Sequence, residues 1–268
     1  MAIQERYTHG HHESVLRSHS WRTVENSAAY LAPRLRSGQD VLDVGSGPGT
    51  LSVSLASYVS PGRVVGVDSS DDIVEQARAF AESAGVDNVT FQTGNAYALD
   101  IEDDTFDVVH AHQVLQHVAD PVAVLKEMRR VVKPGGIVAA RDVDYAGTIW
   151  YPQIDALDRW QDTLLEVHRA NGGDPRAGRM IKSWALDAGF SSVESSASIW
   201  SFASDAEREW WGGSWAERVL ESDFAPRSIE LGLATLDDLR TMSAGWLEWV
   251  AAANGTFLMP HGEIIAVK

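Results

Sequence analysis

Apolar positions in the first 145 residues follow two alternating rhythms. Short, nearly continuous β-branched runs lie at 40–45 (DVLDVG), 62–68 (GRVVGVD), 88–95 (NVTFQTGN), 105–111 (TFDVVHA) and 134–142 (PGGIVAARD), and each predicts a strand covered on both faces. Between them lie stretches with helical spacing at 50–59, 71–85 and 120–132. Asp71 and Asp72 open the second helix, and Gly85 marks its end. Asp120 stands as N-cap of the third, with Pro121 at its first position.

After about residue 145 the rhythm changes. Helical patterns occupy 151–173 and 179–190, an alternating strand pattern 191–202, and a last apolar strand 262–268. The stretch 205–255 is helical and carries Trp210, Trp211, Trp215, Trp246 and Trp249. It reads equally as a cap over the active face or as core filling beside the sheet. Five strands with helical crossovers, then two more strands, predict an α/β fold: a doubly wound, mostly parallel seven-stranded sheet with a helical cap insertion.

Composition narrows the function classes. The chain has 268 residues, enough for one large α/β domain. It has no cysteine, which excludes disulfides, thiolate metal sites and a cysteine nucleophile. The polar start MAIQERYTHGHH lacks the apolar core of a signal peptide, and no apolar run is long enough to span a bilayer, so a cytoplasmic protein is expected. The net charge of −16, with no basic run, argues against a nucleic-acid partner. Oligomeric state is not legible.

The densest chemical signal is VLDVGSGPGT, residues 41–50, where Gly45, Gly47 and Gly49 follow a strand that carries Asp43. Ligands of open α/β sheets sit at the carboxyl ends of the strands, and the helix from about Thr50 aims its first amides there. A dinucleotide fingerprint spaces its glycines G-x-G-x-x-G, whereas this turn is G-x-G-x-G. Asp43 would also meet a pyrophosphate with like charge. An NAD(P)-dependent oxidoreductase is therefore the disfavoured alternative, beside a non-catalytic cofactor-binding protein. Asp68 ends the second strand, where an acid accepts hydrogen bonds from ribose hydroxyls. The site suits an adenosyl group with a positive tail.

In order and spacing, VLDVGSGPGT, VVGVDSS, TGNA, FDVVHAHQVLQHVADP and EMRRVVKPGG resemble the class I S-adenosylmethionine-dependent methyltransferases. The closest likeness is to the ubiquinone/menaquinone-biosynthesis type that acts on small molecules, over residues 38–145. The resemblance implies a Rossmann-like domain over 1–268: an N-terminal lid and helix (1–36), a cofactor-binding core (37–145), and substrate-side helices, cap and last strands (146–268). It implies that Asp43, Gly45, Ser46 and Gly47 surround the methionine part of S-adenosylmethionine. Asp68 and Ser69 would hold the ribose, Asn95 and Ala96 the adenine, and His110 and Ala111 would lie near the sulfonium. Nucleic-acid amino methyltransferases carry an Asn/Asp-Pro-Pro-aromatic tetrad at the end of strand four, where this chain reads HAHQ.

A sulfonium methyl is already activated, so the enzyme must exclude water, align the acceptor and, for a hydroxyl, protonated amine or carbon acid, remove a proton. His112 and His117 are the candidate bases, since imidazole titrates near neutrality. Asp142, Asp144 and Tyr145, after the fifth strand, are candidates for orienting a small-molecule acceptor. The N-terminal segment carries Tyr7, His9, His11, His12 and His19. Without a matching carboxylate cluster it suggests no metal site; it is expected to form a lid, with Tyr7 and His11 touching cofactor or substrate.

Overall fold

A computed structural model describes residues 21–268. Tyr7, His11 and most of the expected lid lie outside the described residues. The strands are β1 (Val41–Val44), β2 (Val64–Asp68), β3 (Val89–Thr93), β4 (Phe106–His112), β5 (Val132–Val143), β6 (Ile149–Tyr151), β7 (Ser192–Phe202) and β8 (Thr256–Val267). The helices are α1 (Val24–Ser27), α2 (Thr50–Val59), α3 (Asp71–Ser83), α4 (Pro121–Val131), α5 (Asp155–Ala170), α6 (Ala177–Asp187), α7 (Asp205–Glu221), α8 (Phe224–Glu230) and α9 (Leu236–Ala251). Local chemistry sets their ends. Ser70 and Asp120 accept from the backbone amides of Ile73 and Ala123, and Ser204 and Thr235 form capping boxes with Glu207 and Asp238.

One sheet runs in the order β3-β2-β1-β4-β5-β8-β6, with β7 also paired to β8. β1 to β5 are parallel, and β8 is antiparallel to β5, β6 and β7. The sheet therefore has eight strands where seven were expected. The addition is the three-residue β6, too short to show a period. β8 also starts at Thr256, not 262. Pro260 lies where β8 passes from its pairing with β6 to its pairing with β5, so the ladder loses little to the missing amide.

The period-2 geometry of the parallel strands sorts side chains to two faces. Leu42, Val44, Val109, Ala111, Val138 and Ala140 pack with Leu125, Met128 and Ile181 of α4 and α6. Val41, Val108 and Ala139 pack on the opposite face with Leu51 and Leu55 of α2 and with Val24, Ala28 and Leu31. Asp43, His110, His112 and Arg141 alternate onto this second face, toward the carboxyl ends of their strands. The segment that begins at Trp21 lies across it, tied down by a hydrogen bond from Trp200 Nε1 to the Asn26 carbonyl (2.6 Å).

The tryptophans form a third cluster of buried side chains. Trp160, Trp246 and Trp249 are 0% exposed and Trp215 1%. Trp160 meets Trp215 and Trp246 edge-on at 4.7 and 4.8 Å, and Trp246 packs on Phe257 at 5.4 Å. These rings bind α5, α7 and α9 to β8.

Candidate functional site

The chain leaves β1 and reverses through three glycines with positive φ: Gly45 (+70°), Gly47 (+54°) and Gly49 (+83°). This left-handed backbone is cheap only for glycine. A Cβ on Gly45 would also come 2.3 Å from Val114 Cγ2. The turn is pinned to β2: the amides of Gly45 and Ser46 donate to the Val67 carbonyl at 2.7 and 3.0 Å. Asp68 completes the anchor, its Oδ2 accepting from the Gly47 amide (2.9 Å) and its Oδ1 from the Ser70 amide (3.2 Å).

A small cleft opens beside this turn, lined by Asp43, Gly45, Ser46, Gly47, the start of α2, Arg22 and His112. Two of its residues carry buried polar atoms without hydrogen-bond partners: Ser46 Oγ and both ring nitrogens of His112. His112 is 4% exposed. Burial, and then the charges of Arg22 and Arg141, hold its pKa well below the ordinary imidazole value. At neutral pH it is uncharged, with a lone pair available as acceptor or base.

Asp43 also lines the cleft, but its oxygens are engaged. Oδ1 accepts from His110 Nδ1 (2.8 Å) and Oδ2 from Ser52 Oγ (2.5 Å). Since a carboxylate only accepts, His110 carries its proton on Nδ1. His110 is 0% exposed and lies beneath the turn, outside the cleft lining. Ala111 is 0% exposed on the opposite face, packed toward α4. The strand parity that brings His112 to the cleft thus takes Ala111 away from it. Asn95 is exposed beyond β3, its Oδ1 accepting from the Tyr97 amide (2.9 Å), and Ala96 is half-buried beside it. Ser69 follows Asp68 directly in the bend before α3.

The residues expected to orient the acceptor are placed differently. Asp142 is 0% exposed and alternates onto the face opposite Arg141. Its two oxygens accept from the amides of Leu115 and Gln116 (3.1 and 3.2 Å), so it fastens the short 3-10 turn Leu115–His117 that follows β4. Burial pushes its pKa up to about 7. Tyr145 is 5% exposed and belongs to the tryptophan cluster. Asp144 is held by the Arg179 guanidinium of α6. His117 stacks on His168 at 4.9 Å, and His168 in turn bonds the Gln116 carbonyl through Nε2 (2.8 Å). None of these four lines the cleft. Each is buried under, or bonded into, the scaffold behind the loop after β4.

Sequence reasoning missed Arg22, Gln113, Arg141 and His261. Gln113 has φ +55°, and its amide links Arg22 Nη2 (2.6 Å) to His261 Nε2 (2.8 Å). His261 Nδ1 donates to the Met259 carbonyl (2.9 Å), so its Nε2 accepts. The signal for Arg141 was in the sequence: a lone arginine within the apolar run of a central strand.

The glycine turn and the cleft thus sit at the carboxyl ends of β1 and β4. The chain matches the methyltransferase domain family over residues 35–183. It is 34% identical to an uncharacterised methyltransferase of Schizosaccharomyces pombe, covering 98% of this chain and 96% of that protein. A demethylmenaquinone methyltransferase of Bacillus cytotoxicus is 37% identical over 124 residues, 46% of this chain and 52% of that protein. The crystal structure of the YcgJ protein from Bacillus subtilis superposes with a TM-score of 0.60 at 22% identity, covering 91% of this chain and 98% of that one, and shares the fold. The chain belongs to the methyltransferase domain family. Among the described residues no helix is long and apolar enough to cross a membrane.

Proposed function

We propose that this chain binds S-adenosylmethionine along the 43–49 turn and transfers its methyl group to a small molecule approaching from the His112 side. The observation that carries this reading is the cleft itself. It joins a glycine turn, tight enough at Gly45 to exclude a Cβ, to a buried, unpartnered Ser46 hydroxyl and an unpartnered neutral imidazole. Those features fit an amino-acid tail bearing a cation, with a nucleoside beyond it.

In this reading Ser46 and the backbone of the turn hold the methionine end, and the Asp43 carboxylate faces its positive charge. Asp68 takes the ribose hydroxyls with the lone pairs left over from Gly47 and Ser70, and the Asn95–Ala96 segment flanks the adenine. The bound cofactor supplies an electrophilic methyl on sulfur. His112, held neutral by burial, accepts a hydrogen bond from the acceptor and so keeps the acceptor's nucleophilic lone pair aligned. His110, locked by Asp43, and Asp142, fastening the 115–117 turn, position the strand end and loop that carry His112.

NMR with methyl-¹³C S-adenosylmethionine tests this arrangement without a known acceptor. Nuclear Overhauser contacts are expected between the bound methyl and the His112 ring, and they disappear in His112→Phe while the cofactor still binds. A bound methyl in contact only with residues remote from His112 would overturn the assignment.

A further inference from the structure

The register of the sheet aligns one polar row across four strands. His112 of β4 pairs with Arg141 of β5, Arg141 with Glu263 of β8, and Glu263 with Ser196 of β7. Its cleft end is His112. The next member, Arg141, is 1% exposed, yet it uses only one edge of its guanidinium: Nε donates to Ser198 Oγ (3.1 Å) and Glu263 Oε1 (3.3 Å). Nη1 and Nη2 are buried and have no partner. The buried Tyr30 hydroxyl is also unpartnered. Buried donors left unmade are costly, and folded proteins rarely tolerate several together. Glu263 is occupied elsewhere, accepting from Ser196 Oγ (2.7 Å) and Ser198 Oγ (2.5 Å), and cannot satisfy the free edge.

We propose that the methyl acceptor bears a carboxylate, bound by the free Nη1/Nη2 edge of Arg141. The two Nη groups form the planar fork that takes a carboxylate through two parallel hydrogen bonds. Trp200 lies 4.8 Å beneath the guanidinium and holds its plane. Neighbouring strands lie about 4.8 Å apart, so the anchor is one strand from the imidazole that faces the reacting atom. Arg141 lies one strand behind His112 and outside the cleft lining, so the acceptor reaches it past His112. Arg141 is on this account a binding residue that selects the acceptor; the transfer itself belongs to the cofactor and His112.

The inference rests on the methyltransferase reading above, and the test separates the two. Protein saturated with S-adenosylhomocysteine is titrated calorimetrically with formate, acetate and benzoate, each against its neutral amide. At least one carboxylate is expected to bind tenfold or more tightly than its amide. Arg141→Lys, which keeps the charge and removes the fork, should abolish that preference while S-adenosylhomocysteine affinity stays within twofold. The double variant Arg141→Gln/Glu263→Gln removes the pair together, leaves no buried unpaired charge, and should behave the same way. No carboxylate preference in the loaded protein, or a preference that survives in both variants, overturns the carboxylate site and leaves the methyltransferase reading standing. Failure of S-adenosylhomocysteine itself to bind would remove the reading on which the site depends.

Discussion

Asp68→Ala is the substitution that probes the ribose contact most cleanly. The carboxylate is half-buried at the end of β2, and each of its oxygens already holds one backbone amide, Gly47 at 2.9 Å and Ser70 at 3.2 Å. Each oxygen therefore retains a lone pair for a ribose hydroxyl. Losing hydrogen bonds to a charged group costs about 1–3 kcal/mol, or about 5- to 150-fold in Kd. Release of the Gly47 amide loosens the turn and pushes the loss toward the upper end of that range. Asp68→Asn keeps an oxygen for Gly47 and should fall between wild type and alanine. Isothermal titration with S-adenosylhomocysteine measures both, with thermal melts confirming that each variant is folded. A folded Asp68→Ala variant with unchanged affinity would show that the carboxylate does not touch the ligand.

Two further outcomes follow from the packing. Trp246→Ala empties the centre of the tryptophan cluster and should cost about 3–5 kcal/mol in a denaturant melt; S-adenosylhomocysteine affinity should hold in the protein that remains folded, because the cluster does not line the cleft. The Asp142 carboxyl holds its proton more tightly folded, at about 7, than unfolded. Its contribution to stability is therefore full below pH about 4 and is lost progressively as pH rises through about 7, amounting to about 4 kcal/mol. Asp142→Asn lacks this loss, so the stability of the variant relative to wild type should rise between pH 4 and 7; a difference that stays flat would mean Asp142 ionises freely in the fold.

The five parallel strands and their crossover helices were legible because a sheet covered on both faces needs unbroken apolar runs, and VVGVD and FDVVHA supply them. β6 was not, because three residues carry no period, and the first half of β8 was hidden by Pro260. At the site, the glycine turn and Asp68 announced themselves by spacing. His112 did so as well, and its parity with His110 and Asp43 already implied that Ala111 points the other way. Asp142 read as an active-edge acid because its position at a strand end is visible in sequence. Its orientation away from the cleft is a property of the pleat. Arg141 passed unnoticed for the opposite reason: a charge within an apolar strand was read as part of the strand, when burial makes it the more informative residue. The tryptophans left two readings open because burial and pocket lining demand the same side chain.

The central claim is that the turn from Asp43 to Gly49 holds a sulfonium nucleoside and not a dinucleotide. Parallel calorimetric titrations of the full chain with S-adenosylhomocysteine and with NAD test it most directly. The account predicts one-to-one binding of S-adenosylhomocysteine and no measurable heat with NAD; saturable binding of NAD with none of S-adenosylhomocysteine would contradict it.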